Sequence, residues 1–173
     1  MSDEGSVIRP EVRIDNVRAL GRDYLPERRK QIRKALTTLH NNEVMAVNIY
    51  KAQITAKPCE LNTQLAAAMF NEMTHMQDFQ LKLYEYGFKP SRLRWAQWGA
   101  GYVFGFGSRL LGPRRILKTG IWAETKAIEH YGRLLQAADW DEETRPILEK
   151  DRADEVAHLE RWKNFLMNPD PIC

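Results

Sequence analysis

Glu72-Met73-Thr74-His75 and, 83 residues further on, Glu155-Val156-Ala157-His158 place an acid three residues ahead of a histidine twice in one chain. At helical spacing, residues i and i+3 share a face, so each pair can chelate one ion. The first pair sits inside the stripe Leu61, Leu65, Ala68, Glu72, His75, Phe79, and the second inside Leu148, Asp151, Glu155, His158, Trp162, Phe165. Two further stripes with the same steps of three and four are Leu36, His40, Glu43, Val47, Tyr50, Ile54 and Leu117, Ile121, Glu124, Ile128, Tyr131, Leu135. This periodicity predicts four long helices. Two of them run over about 28–56 and 60–86, a third follows residue 112, and a fourth ends before Pro169. Pro58, Gly87 and Pro90 supply the breaks, and strand signals are few.

The fold class is therefore all-α, an antiparallel four-helix bundle whose helices of about 24 residues would each be about 36 Å long at 1.5 Å per residue. Residues 87–113 are too many for a tight turn, which predicts a long crossover from the second helix back along the bundle to the third. The expected organisation is an N-terminal arm over 1–27, one helical domain over 28–168 and a short tail over 169–173.

A bundle stripe should be apolar, yet each of the four has an acid at its centre: Glu43, Glu72, Glu124 and Glu155. Four uncompensated carboxylates in a core would be prohibitive, at several kcal/mol each plus mutual repulsion, so cations or protons must accompany them. The order is also duplicated: Glu43 precedes Glu72 by 29 residues, and Glu124 precedes Glu155 by 31. One Glu from each of two helices and a Glu-x-x-His pair from each of the others form the inventory for two bridged metal ions. Carboxylate-rich ligation with one imidazole per ion favours iron or manganese over structural zinc, and iron is the expectation. The candidate ligands are Glu43, Glu72, His75, Glu124, Glu155 and His158. Asn71 and Asp154 each lie four residues before a ligand histidine, in position to accept the free N–H of the facing helix's imidazole. His130, six residues after Glu124, is a candidate for proton transfer. Tyr50 and Tyr131 read as core packing, His40 as a hydrogen-bonded core histidine, and Asp151 as a non-ligand on the site face.

Composition narrows the partners. The chain has 173 residues, 43% hydrophobic, and a formal charge of +3 with both signs intermixed, which argues against nucleic acid. The acidic N-terminal region lacks the apolar run of a secretory signal and the acid-poor character of a transit peptide. Cys59 and Cys173 are too few for a disulfide framework, favouring a reducing compartment. No run of about eighteen apolar residues is present, so no conventional membrane-spanning helix is expected. The crossover, however, carries fourteen uncharged, aromatic-rich residues between Arg94 and Arg109. With Arg92, Arg94, Arg109, Arg114, Arg115 and Lys118 around it, the segment from about Leu93 to Leu111 reads as a membrane-interface element. The competing reading is a helix that covers the bundle or forms a dimer face.

Asn42-Glu43-Val44-Met45-Ala46-Val47-Asn48-Ile49-Tyr50, the Glu72/His75 pair, the stretch from Gly105 to Gly112, Glu124 with His130-Tyr131, and Asp154-Glu155 with His158 together resemble the demethoxyubiquinone hydroxylase family of ubiquinone biosynthesis. The resemblance covers about residues 36–166. It implies a ferritin-like di-iron monooxygenase that uses O2 to hydroxylate the ring of a polyprenylated quinone precursor, with the same six residues as iron ligands. It also implies electrons from NADH or an external reductase, a lipid-soluble quinone partner, and a homo-oligomer or quinone-biosynthesis complex. The implied location is the inner face of a bacterial cell membrane, or the matrix side of the mitochondrial inner membrane. His130 and Tyr131 match a family His-Tyr pair, while Glu129 stands where the family pattern has a histidine. A ferritin- or rubrerythrin-like protein, oxidising Fe(II) or reducing peroxide with the same ligands, is the alternative function.

Overall fold

The structure, a computed structural model, describes residues 18–168, and these contain five helices: α1 (Pro26–Gln53), α2 (Glu60–Glu85), α3 (Arg94–Leu110), α4 (Pro113–Ala137) and α5 (Thr144–Met167). Strands are absent among the described residues. Pro26 and Pro113 occupy first-turn positions, where a proline's missing N–H and fixed φ cost nothing. The α2 terminus closes as a Schellman motif: Gly87 at φ 73° lets its own N–H reach Tyr84 O at 2.9 Å and the Phe88 N–H reach Leu83 O at 2.7 Å. Asn62 ties the α1–α2 turn, accepting from the Thr55 N–H at 3.0 Å and donating to the Thr55 carbonyl at 3.1 Å.

Helices α1 and α2 pack as one hairpin and α4 and α5 as another, the all-α bundle the stripes predicted. The crossover runs back along the bundle as expected, and most of it is helix α3, which lies alongside α1 in the same direction and touches α4. Its small residues explain the approach. A Cβ at Gly101 would come within 2.3 Å of the Met45 carbonyl oxygen, and one at Gly105 within 2.3 Å of the Ile49 carbonyl oxygen. Ser108, one turn on, buries its hydroxyl between the Gln53 amide and the Gly105 carbonyl. None of the five helices is long and apolar enough to cross a membrane.

The described part of the arm is tied to the bundle. The Leu20 N–H donates to Glu85 O, and the Arg29 guanidinium bonds the carbonyls of Gly21 and Tyr86. Residues 1–17 of the arm and the tail at 169–173 lie outside the described residues. The apolar core falls into two clusters, one around Leu36, Phe79, Leu83 and Leu148, the other around Leu61, Leu65, Leu117 and Trp162. The charged positions of all four stripes lie between them in sequence register.

Candidate metal centre

All six acid and histidine positions singled out by spacing are buried, Glu72 and His75 at 0% exposure and the others at 4% or less. They form two overlapping clusters whose ligand atoms lie within 4.8 Å of one another: Glu43, Glu72, His75 and Glu155, and Glu72, Glu124, Glu155 and His158. Glu72 and Glu155 belong to both, so the pattern is two adjoining pockets with two shared carboxylates. Each imidazole turns Nδ1 inward. His75 Nδ1 stands 3.4 Å from Glu72 Oε2 and 3.2 Å from Glu155 Oε1, and His158 Nδ1 stands 3.1 Å from Glu72 Oε1 and 3.7 Å from Glu124 Oε1. Despite these distances, both Nδ1 atoms and all four oxygens of Glu72 and Glu155 lack a hydrogen-bond partner of proper geometry. Buried polar atoms are nearly always paired, so six orphans in one small volume are a set of donors aimed at something other than each other. Oxygen and imidazole donors in this number suit two divalent ions of the iron or manganese kind.

Without cations the cluster has to rearrange its protons. Burial, then repulsion from Glu72, pushes Glu43, Glu124 and Glu155 above the usual carboxylate range. Burial opposes charge on Glu72 as well, but the imidazoles of His158 and His75 against it win and hold it at about 2. His75 is correspondingly raised to about 10: burial disfavours its charge, and Glu72, Glu43 and Asp151 overcome it. The centre thus carries charge that ions can replace, and ion binding there displaces protons.

The surroundings fix the donors. Tyr131 of α4 donates to Glu43 Oε1 of α1 at 2.8 Å, while Tyr50 of α1 donates to Glu124 Oε1 of α4. The two tyrosines are crossed braces, each gripping the acid of the other hairpin. The packing role expected for them is therefore incomplete. Both lie seven residues, two helical turns, after their own helix's acid, which puts them on the site face of the helix. Trp162 adds a third donor, its Nε1 2.9 Å from the Tyr50 hydroxyl and 3.3 Å from Glu124 Oε1. Asp154 does what its spacing suggested, with Oδ2 3.1 Å from His75 Nε2, and Lys150 in turn holds Asp154 at 3.1 Å. Asp151, fully buried, has Oδ1 3.7 Å from the same Nε2, and burial raises its carboxyl to about 6. Asn71, at the matching position on α2, makes no such bond to His158 among the described residues; its carbonyl accepts from the Thr74 hydroxyl.

Between α1 and α4 a cleft of about 50 Å³ reaches the centre, with Glu43, Glu124 and Glu155 at its floor and His130 in its wall. His130 Nδ1 lies 2.9 Å from the Asn42 amide nitrogen, and burial holds its pKa below the ordinary value. Glu129 is exposed and paired with Lys126 at 2.7 Å, outside the centre. His40 is 1% exposed, a core histidine with the side chains of Gln80 and Asn41 beside its ring, and burial holds its pKa below the ordinary value.

The profile of the family described as ubiquinone biosynthesis protein COQ7 matches residues 30–163 of this chain. The chain belongs to this family. The match takes in α1 from its second turn through nearly all of α5, and so all six clustered residues. Among curated relatives, the 3-demethoxyubiquinol 3-hydroxylase of Cupriavidus taiwanensis is 31% identical over 136 residues, 76% of this chain and 65% of that protein. The protein of the same name from Cupriavidus metallidurans is 30% identical over 143 residues, 80% of this chain and 68% of its own. One from Legionella pneumophila strain Corby is 29% identical over 136 residues, with 76% and 63% covered. The chain spans about two thirds of the length of these COQ7-family relatives.

Proposed function

We propose that this chain is an O2-dependent monooxygenase that hydroxylates the ring of a prenylated quinol precursor of the demethoxyubiquinol type. Two iron ions are held by Glu43, Glu72, His75, Glu124, Glu155 and His158. The single observation that carries the reading is the set of six orphaned buried donor atoms on Glu72, Glu155, His75 and His158. Bound there, the iron pair supplies the redox chemistry of O2 activation. Electrons come from NADH or an external reductase.

The chain's own residues do the rest. Asp154 accepts a hydrogen bond from the Nε2–H of His75, which fixes the tautomer and leaves the Nδ1 lone pair pointing inward. Tyr131 and Tyr50 donate hydrogen bonds to Glu43 Oε1 and Glu124 Oε1, restraining the two unshared carboxylates while Glu72 and Glu155 serve both pockets. The two apolar clusters exclude water on either side, and the α1/α4 cleft is the way in. At about 50 Å³ it has room for a water or two, so a quinol ring has to spread its walls. Trp122 lines that cleft, is 43% exposed and packs against Phe104 of α3 at 5.6 Å. Phe104, Val103, Leu110 and Leu111 are themselves exposed. This favours access from a membrane surface along α3, with a lipid-soluble substrate crossing the Phe104–Trp122 edge into the cleft.

The test is a strain lacking the gene, whose lipid extract accumulates a quinone precursor one hydroxyl short by mass spectrometry. The wild-type gene restores the product. Glu155→Ala gives a helical protein by circular dichroism that restores none. Restoration by that variant, or hydroxylation by purified protein carrying less than one metal per chain, overturns the assignment.

A further inference from the structure

The two hairpins meet along two seams, α1 against α4 and α2 against α5. The first holds the cleft. The second holds Lys150, Asp151 and Asp154 of α5, with Asp78 of α2 close enough for its charge to bear on Asp151. Asp151 Oδ1 and Asp154 Oδ2 each face two nitrogens. On the inner side is His75 Nε2, at 3.7 and 3.1 Å; on the outer side is Lys150 Nζ, at 3.3 and 3.1 Å. Exposure falls along the same line, from 61% at the Lys150 side chain through 33% at Asp154 to 0% at Asp151 and His75. The other oxygen of Asp151, Oδ2, is buried without a hydrogen-bond partner.

Orienting His75 takes one carboxylate, and Asp154 supplies it. A second, buried carboxylate with an orphan oxygen is more than that task needs. The cation over the pair is easily displaced, because an exposed ammonium on a flexible stem is held weakly. A divalent ion brings twice the charge and accepts several oxygens, and His75, Asp151 and Asp154 offer ligand atoms within 4.8 Å of one another. The same imidazole turns Nδ1 to Glu72 and Glu155, so one ring is the wall between this group and the metal centre. The other seam is less hospitable to an ion. Above the acids at its floor, the α1/α4 cleft presents mostly apolar walls and the ammonium of Lys126.

We propose that Asp78, Asp151 and Asp154 form an entry port through which divalent metal reaches the centre along the α2/α5 seam, with the Lys150 ammonium as the exchangeable cation that closes it. The ion displaces Lys150 from the two aspartates, rests there, and passes His75 into the inner pockets; Lys150 then returns and Asp154 again orients the imidazole. The proposal rests on the two-metal reading of the centre and assigns to the two seams separate traffic, metal through one and substrate through the other.

The experiment is stopped-flow loading of the metal-free full chain with Co(II), followed by the visible absorption of the bound ion, with ions per chain counted at the end by atomic absorption. Wild type should finish at two ions per chain. Lys150→Gln should load about tenfold faster and Asp78→Asn about threefold slower, both differences shrinking at high salt, as expected for one unit charge close to, or one turn away from, the path of a divalent ion. Both variants should still finish at two ions, which separates slower entry from a damaged centre. Lys126→Gln removes the same charge at the α1/α4 cleft and should load like wild type. Unchanged loading in Lys150→Gln overturns the proposal, as does a faster Lys126→Gln, which would put the route through the cleft. A slow Asp78→Asn that finishes short of two ions also overturns it. If Lys150 only pins Asp154, its variant melts lower and loads no faster, and the port falls while the centre stands. Wild type that takes up no Co(II) removes both readings.

Discussion

Replacing Asp154 with Asn should weaken one metal position and spare the other. The helices and the Glu-x-x-His pairs repeat, but what stands behind the two histidines does not. His75 Nε2 faces Asp154 Oδ2 at 3.1 Å and Asp151 Oδ1 at 3.7 Å, whereas the matching positions on α2, Asn71 and Ala68, give His158 no carboxylate. Carboxylates behind a ligand imidazole raise its basicity, and their loss lowers metal affinity about 10–100-fold. Asp154 is one-third exposed and shares its charge with Lys150, and Asp151 remains behind the ring. These offsets place the variant near the low end, about tenfold or about 1.4 kcal/mol. The assay is a titration of metal-free protein with Mn(II), read by electron paramagnetic resonance. Wild type should fill one position first, so that a mononuclear signal dominates at one equivalent, and the coupled pair should appear towards two. In Asp154→Asn the first step should weaken about tenfold towards the second, which stays where it was. Coupled pairs from the first addition in wild type would refute the reasoning, and so would equal weakening of both steps in the variant.

Three further outcomes are expected. Tyr131→Phe leaves Glu43 Oε1 without its donor and should cost about 1–3 kcal/mol, read as a drop in thermal midpoint; Tyr50→Phe should cost less, because Trp162 Nε1 already lies 3.3 Å from Glu124 Oε1. Gly105→Ala forces α3 off the Ile49 carbonyl and should destabilise by about 1–3 kcal/mol in denaturant unfolding, whereas Gly107→Ala, with open space at its Cβ, should be neutral or slightly stabilising. The metal-free protein should lose stability as pH rises. Glu43, Glu124 and Glu155 are raised in the fold, and so is His75, to about 10, so the folded state holds protons that the unfolded chain releases. The contribution of His75 is full below about 6.5 and is lost through about 10. Melts in chelator from pH 6 to pH 10 should therefore fall steadily, and loading with metal should flatten the trend; a rise with pH would contradict the charge assignment.

The bundle and the six clustered residues were legible because their signal is periodic. An acid at the centre of an apolar stripe conflicts with burial in every helix, and four such conflicts have one common resolution. The helical state of α3 was harder to see. Its buried face is Gly101, Gly105 and Ser108, so what holds it to α1 is the absence of side chains, which leaves no hydrophobic stripe to read. The partners of Tyr50 and Tyr131 were not legible from either helix alone, since each bond spans the two hairpins.

The crossed tyrosines have a bearing on assembly. A lone α1/α2 hairpin carries Glu43 without the phenol that restrains it, and a lone α4/α5 hairpin carries Glu124 in the same predicament. Each half is thus an incomplete receptacle whose missing clasp is supplied by its counterpart. Co-expressed as separate fragments, the halves should capture metal only after they have found one another.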